Sequence, residues 1–170
     1  MASIPVNACN DLLELLEEAS CHYRALLSVL ESEKKAIVES NLSELGKVLK
    51  AKEALLCKIQ VIEEQRQMAT EGLAESLGCS SRDLTISKLA ELTEEPQTDR
   101  FKRLCSDLSP LTESIHSIND NNKTLLRHSV ALIKSSFAFL NNLIAANDVY
   151  YRSGKVQQTI QSGKVLSGSV

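Results

Sequence analysis

The chain is 170 residues long, with three Pro, six Gly, three Phe, three Tyr and no Trp. So few turn formers and aromatics, among much Leu, Glu, Lys, Ala and Ser, exclude a thick aromatic core and point to long helices with aliphatic seams. The net charge of −3 provides no global basic field to gather nucleic acid.

The charge is uneven. Residues 151–170 hold Arg152, Lys155 and Lys164 and no acid, which leaves −6 for the rest. Three charges are too few for a nucleic-acid arm. The five cysteines, Cys9, Cys21, Cys57, Cys79 and Cys105, are odd in number and form no CxxC pair. They propose neither a disulfide framework nor a zinc site, and are read as small residues at or near apolar faces in a reducing compartment. The N-terminus "MASIPVNACNDLLELLEE" lacks the basic and apolar regions of a signal peptide. No run reaches the roughly 20 apolar residues of a membrane span. A cytoplasmic protein is expected.

The first helix is expected over about 8–39. Leu12, Leu16, Ala19, Tyr23, Leu26, Leu30 and Ile37 follow 4-3 spacing, and Glu33 fills one seam slot. Leu13 and Leu27 widen the stripe. "SNLSEL" then offers Asn41 as a cap, with Glu44 as its partner in a capping box. So short a connection folds the second helix, about 41–77, back on the first as an antiparallel hairpin. Its seam is read as Leu42, Leu45, Leu49, Leu56, Ile59 and Ile62, then Ala69, Leu73 and Leu77, with Gly78 as the C-terminal stop. Lys50, Lys52 and Lys58, with Glu44, Glu53, Glu63 and Glu64, are read as a solvated outer face.

Residues 79–98 are a connector. Thr85 or Ser87 caps a short helix over about 86–92, and Pro96 breaks the pattern. The third long helix is expected over about 99–150. One seam row is Leu108, Ile115, Asn122, Ser129, Ser136, Leu143 and Tyr150. The other is Leu104, Leu111, Ile118, Leu125, Leu132, Phe139 and Ala146. The unbroken phase carries the helix through "SINDNNKT" at 117–124, although asparagine is a mediocre helix former. It puts Asn122 on the seam and Asn119 on its flank. A seam Asn fixes register at some expense of stability; the alternative is a surface or water-bridged amide. If Asn122 acts as a register marker, Asn122→Leu raises stability; if its amide satisfies buried polar groups, stability falls. Pro110 either starts a new helix or kinks a continuous one, and the constant phase favours the kink. A helix over 99–150 is roughly 75 Å long, against roughly 45–55 Å for each hairpin arm, so it is expected to overhang with apolar surface uncovered.

The expected fold is therefore all-α: a long antiparallel helical hairpin, a short connector helix and a third long helix, forming an elongated bundle or coiled coil. Residues 1–151 form the helical domain. Residues 152–170, with "SGKV" twice, read as a flexible tail.

Motifs for chemistry are lacking. There is no phosphate-binding glycine loop, no GxGxxG, no GxSxG and no HExxH. His116 and Asp120 share a helix face, and a local hydrogen bond or solvent exposure outweighs a catalytic pair. One isolated "ESIH" at 113–116 does not supply the paired ExxH motifs of a ferritin-like site. No cofactor is implied, and an enzyme is not expected. What remains is a scaffold that recognises another protein through apolar stripes.

"LESEKKAIVESNLSELGKVLKAKEALL" at 30–56, "LG" at 77–78, "SINDNNKTLL" at 117–126 and "VYYRSGK" at 149–155 stand in one order along the chain. Together they resemble the FlgN family of flagellar type III export chaperones, over about residues 10–156. Asn119 and Asn122 belong to the most specific part of that resemblance. It implies a cytoplasmic chaperone that binds the C-terminal helical segments of the hook–filament junction proteins FlgK and FlgL. It also implies delivery to the export gate, through the cytoplasmic domain of FlhA. The family's substrate binding lies toward the C-terminal end, which makes Leu132, Phe139, Leu143 and Ala146 the candidates here. The family's gate-docking tyrosine, a few residues before a glycine, matches Tyr150 or the adjacent Tyr151, with Gly154. The competing expectation is a self-assembling structural coiled-coil or adaptor protein.

Overall fold

The computed structural model describes residues 5–146. Two compact units divide the chain, Met1–Leu126 and Arg127–Val170. Among the described residues the fold is all-α: α1 (Val6–Val38), α2 (Leu42–Leu77), α3 (Ile86–Leu92) and α4 (Gln97–Ala146), with a 3-10 turn at Ser81–Asp83.

In the first unit α1 and α2 form the antiparallel hairpin. Its polar pairs run in opposite senses, Tyr23 with Glu63 and Glu33 with Lys52. α4 runs parallel to α1, since Asn10 meets Gln97, Glu17 meets Arg100 and Leu30 meets Asn122. The three-residue link between α1 and α2 closes with Ser40 N–H on Ile37 O and Asn41 N–H on Ala36 O. Ser40 takes the left-handed conformation (φ 54°) at a position where glycine is usual. At the far end of α2, Gly78 fills the same role with φ 66°, and Cys79 N–H reaches Ala74 O. The Asn41 cap is present, its side chain accepting from Glu44 N–H at 3.1 Å. The reciprocal half of the box is not: the Glu44 carboxylate pairs with Lys47 instead.

The core gathers where the connector closes the hairpin. Leu12, Leu13 and Leu16 from α1 meet Leu73 and Ala74 from α2, Leu89 from α3, and Phe101, Leu104 and Leu108 from α4. Phe101 is fully buried. Fully burying an aliphatic or Phe side chain contributes about 1.5–3 kcal/mol, so this end anchors the unit.

The α1 seam is as expected, with Glu33 buried among its leucines. The α2 seam differs. Leu42, Leu49 and Leu56 are 80%, 44% and 44% exposed. The inward positions follow a strict 3-4 repeat instead: Leu45, Val48, Lys52, Leu55, Ile59, Ile62, Arg66, Ala69 and Leu73 are all buried or half-buried. Lys52 and Arg66 hold two of the slots, so a reading that follows leucines drifts off the true face. Both side chains lay their apolar stems along the seam and carry their charge to carboxylates. Lys52 and Glu63 are therefore not part of a solvated outer face.

α4 is continuous through Pro110, which does not start a new helix. Pro110 is exposed, so water can replace the backbone bond that its missing N–H gives up. Thr112 Oγ1 ties the same turn together by donating to Leu108 O and Ser109 O, both at 2.9 Å. The cysteines are all free; only Cys9 is buried, and Cys21, Cys57 and Cys79 are exposed. Most of them stand at the surface, against the expectation that they line apolar faces. Burial pushes the Cys9 thiol pKa up, which keeps it neutral and unreactive.

Candidate functional site

Along α4 the heptad phase is constant but its surroundings change. Phe101, Leu104, Leu108 and Asn122 are buried, and Leu111, Ile115, Ile118, Leu125 and Ser129 are half-buried. From Val130 to Ile144 every side chain is exposed. In the second unit the exposed apolar residues fall into two ridges. Val130, Ile133, Phe137, Leu140 and Ile144 follow 3-4 spacing on one side. Leu132, Phe139 and Leu143 form the other. Leu132 is 70% exposed and Phe139 64%. Ser136 lies between the ridges and, with Leu132, Ile133, Phe137 and Leu140, lines a shallow apolar depression of about 300 Å³. The Ser136 hydroxyl is already used, donating to Leu132 O at 2.9 Å. Residues 121–146 contain Lys123, Arg127 and Lys134 and no acid, in a chain whose net charge is negative.

Where the seam is covered, its polar residue is held by an ionic junction of three helices. Asn122 is 1% exposed and spends both amide hydrogens on α1: Nδ2 donates to Leu30 O at 2.8 Å and to Glu33 Oε2 at 2.9 Å. Both partners are acceptors, so the amide orientation is fixed, and Oδ1 is left buried with no hydrogen-bond partner. Glu33, 2% exposed, also accepts from Lys52 Nζ of α2, at 2.9 and 3.2 Å on its two oxygens. Lys52 Nζ continues to Asn119 Oδ1 at 3.2 Å. Two asparagines of the sequence cluster thus bind different arms of the hairpin, Asn122 to α1 and Asn119 to α2. The sequence marked Glu33 and Asn122 as seam intrusions on separate helices; the signal missed was Lys52 at the matching heptad slot of α2.

A second polar insertion lies nearer the core. Tyr23 OH donates to Glu63 Oε1 at 2.7 Å, and Arg66 holds the other carboxylate oxygen at 2.7–2.8 Å. Burial first, and then the hydrogen bond to Glu63, push the Tyr23 pKa up to about 12.

His116 and Asp120 are exposed on α4. Among the described residues no group of three or more His, Cys, Asp or Glu is placed to hold a metal ion. No helix among them is long and apolar enough to cross a membrane. In the first unit the hairpin is closed by a third helix through a buried polar clasp, and in the second unit α4 carries two exposed apolar ridges.

The chain matches the family model described as FlgN protein over residues 1–158. It belongs to the FlgN family. The family is one of flagellar export chaperones, and this FlgN chain brings a helical scaffold to that role. No curated protein and no solved structure matches it. Of the candidate binding residues in this FlgN chain, Leu132, Phe139 and Leu143 share one exposed ridge. Ala146 is the last residue of α4. Tyr150, Tyr151 and Gly154 lie outside the described residues.

Proposed function

We propose that this FlgN protein binds the C-terminal helical segments of the junction proteins FlgK and FlgL in the cytoplasm. It keeps them from assembling early and hands them to the export gate through the cytoplasmic domain of FlhA. The observation that carries this reading is the run of exposed apolar side chains from Val130 to Ile144 on a helix whose earlier turns are buried. A large exposed apolar patch marks a binding surface. Filament subunits need their terminal helices masked before assembly, and amphipathic helical segments laid on the α4 ridges mask both partners reversibly. Leu132, Phe139 and Leu143 supply the contact, with Ala146 at its end. Tyr150 or Tyr151, before Gly154, supplies the gate contact.

Isothermal titration against the C-terminal segments of FlgK and FlgL tests the client. Phe139→Asp is expected to weaken binding about tenfold or more, as loss of an aromatic anchor does. Deleting 147–170 reduces client affinity without unfolding the rest. Tyr150→Ala weakens binding to the FlhA domain and spares the client; equal gate affinity for variant and parent refutes that assignment. A chain that binds no segment, and sediments as a concentration-dependent oligomer, is a self-assembling adaptor instead.

A further inference from the structure

A helix that faces a single core shows an apolar stripe of about 100°. The ridges of α4 cover more than that. At 3.6 residues per turn, the ridge centred on Phe137 and the ridge of Leu132, Phe139 and Leu143 together span roughly half the helix circumference. Their centres are roughly a third of a turn apart, and Ser136 sits in the trough between them. One partner helix, contacting α4 along one line, covers one ridge and leaves the other in water.

The same heptad frame shows what such a face accepts. In the first unit it faces two helices at once: Asn122 is bonded to α1, while Asn119 is bonded to Lys52 of α2. The frame runs on without a stutter from Asn122 through Ser129 to Ser136. The trough also suits an apolar knob. Its small side chain leaves room, and its hydroxyl is satisfied by Leu132 O, so covering it strands no polar group. The flanking charge is basic, from Arg127 and Lys134 with no acid in the segment.

We infer that the 127–146 face of α4 takes two helices of its client together, a helical pair with acidic flanks, one on each ridge, with a bulky apolar side chain seated over Ser136. This rests on the proposed client binding, and names what kind of surface the client must present. The contact would reproduce in trans what the α1–α2 hairpin does within this chain.

Photo-crosslinking residues are placed at 137 and, separately, at 139 in the full chain, and each protein is mixed with full-length FlgK. Crosslinked peptides are then identified by mass spectrometry. The expected result is two different client segments, one from each position. Both positions reporting one segment overturns the pair while leaving client binding intact. Crosslinks only to a second copy of this chain overturn it in favour of self-association. Retained FlgK binding with no crosslink at either position overturns the placement of the site itself. Ser136→Phe fills the trough and is expected to weaken FlgK binding at least tenfold. Equal binding by Ser136→Phe, with an unaltered helical circular dichroism spectrum, removes the knob from the argument.

Discussion

α4 carries one heptad pattern through two settings. Around Asn122 the pattern is buried, and its polar intruder is bound by a carboxylate, a carbonyl and, through that carboxylate, a lysine. Around Ser136 the pattern is exposed, and its polar intruder is bound only to its own helix. The difference teaches where specificity resides. A buried amide with two fixed acceptors accepts one register, because a shift strands Glu33 and Asn122 in a low-dielectric seam. A serine bonded within its own turn imposes no register and accepts whatever fills the trough. The first setting holds the fold in one arrangement, and the second leaves a face open to a partner.

The sharpest way to break that comparison is to remove the carboxylate. Glu33→Ala leaves Lys52 and Asn122 without their shared acceptor. Breaking a buried ion pair costs about 3 kcal/mol, toward the low end of the usual range because Lys52 is 19% exposed. Thermal denaturation should show the midpoint falling by roughly 10 °C. An unchanged midpoint would mean that the junction is decoration.

Asn122→Leu comes next. Were Asn122 only a register marker, leucine would raise stability. The structure reverses that expectation, because the amide satisfies Glu33 and Leu30 O. Leucine should destabilise by about 1–3 kcal/mol, partly offset because it also removes the unsatisfied Oδ1. A double-mutant cycle with Glu33→Ala should give a non-zero coupling energy; additive effects would show that the two side chains act independently.

On the exposed side the same kind of insult should be nearly silent for folding. Phe137→Asp places a charge on the ridge, yet Phe137 is 62% exposed. Its stability effect should stay within about 0.5 kcal/mol, while FlgK binding falls. A large loss of stability would mean that the ridge is already covered within the chain.

The helices were legible because their signals are local. The 4-3 rows of α1 and α4, the Asn41 cap and the Gly78 stop each depend on a few neighbouring residues. The α2 face was misread because its seam contains Lys52 and Arg66, whose place depends on carboxylates at Glu33 and Glu63. No single-helix pattern reports that. The clasp was half-legible for the same reason: Glu33 and Asn122 broke their own stripes, but only the parallel pairing of α1 with α4 brings them together. For the proposed binding face, the sequence supplied Leu132 and Phe139 in one seam row and Leu143 in the other. The ridge of Ile133, Phe137, Leu140 and Ile144 lies beside those rows, and all of these residues look like core until their exposure is known.

A finer comparison lies within the first unit, between the clasp and the Tyr23–Glu63–Arg66 insertion. Tyr23 has its pKa raised from 10.0 to about 12 by burial and by its bond to Glu63. A raised folded pKa means that the neutral phenol is favoured in the fold. Its stabilisation is complete below the unfolded value near 10 and is lost as pH rises through about 12. Tyr23 is only half-buried, so solvent screens the effect and it should be the smallest of the four. Tyr23→Phe keeps the ring and cannot ionise. Between pH 10 and 12 the parent should therefore lose stability more steeply than the variant in chemical denaturation. Equal slopes would show that the phenol ionises as freely in the fold as in the unfolded chain, and that Arg66 alone holds Glu63 in the seam.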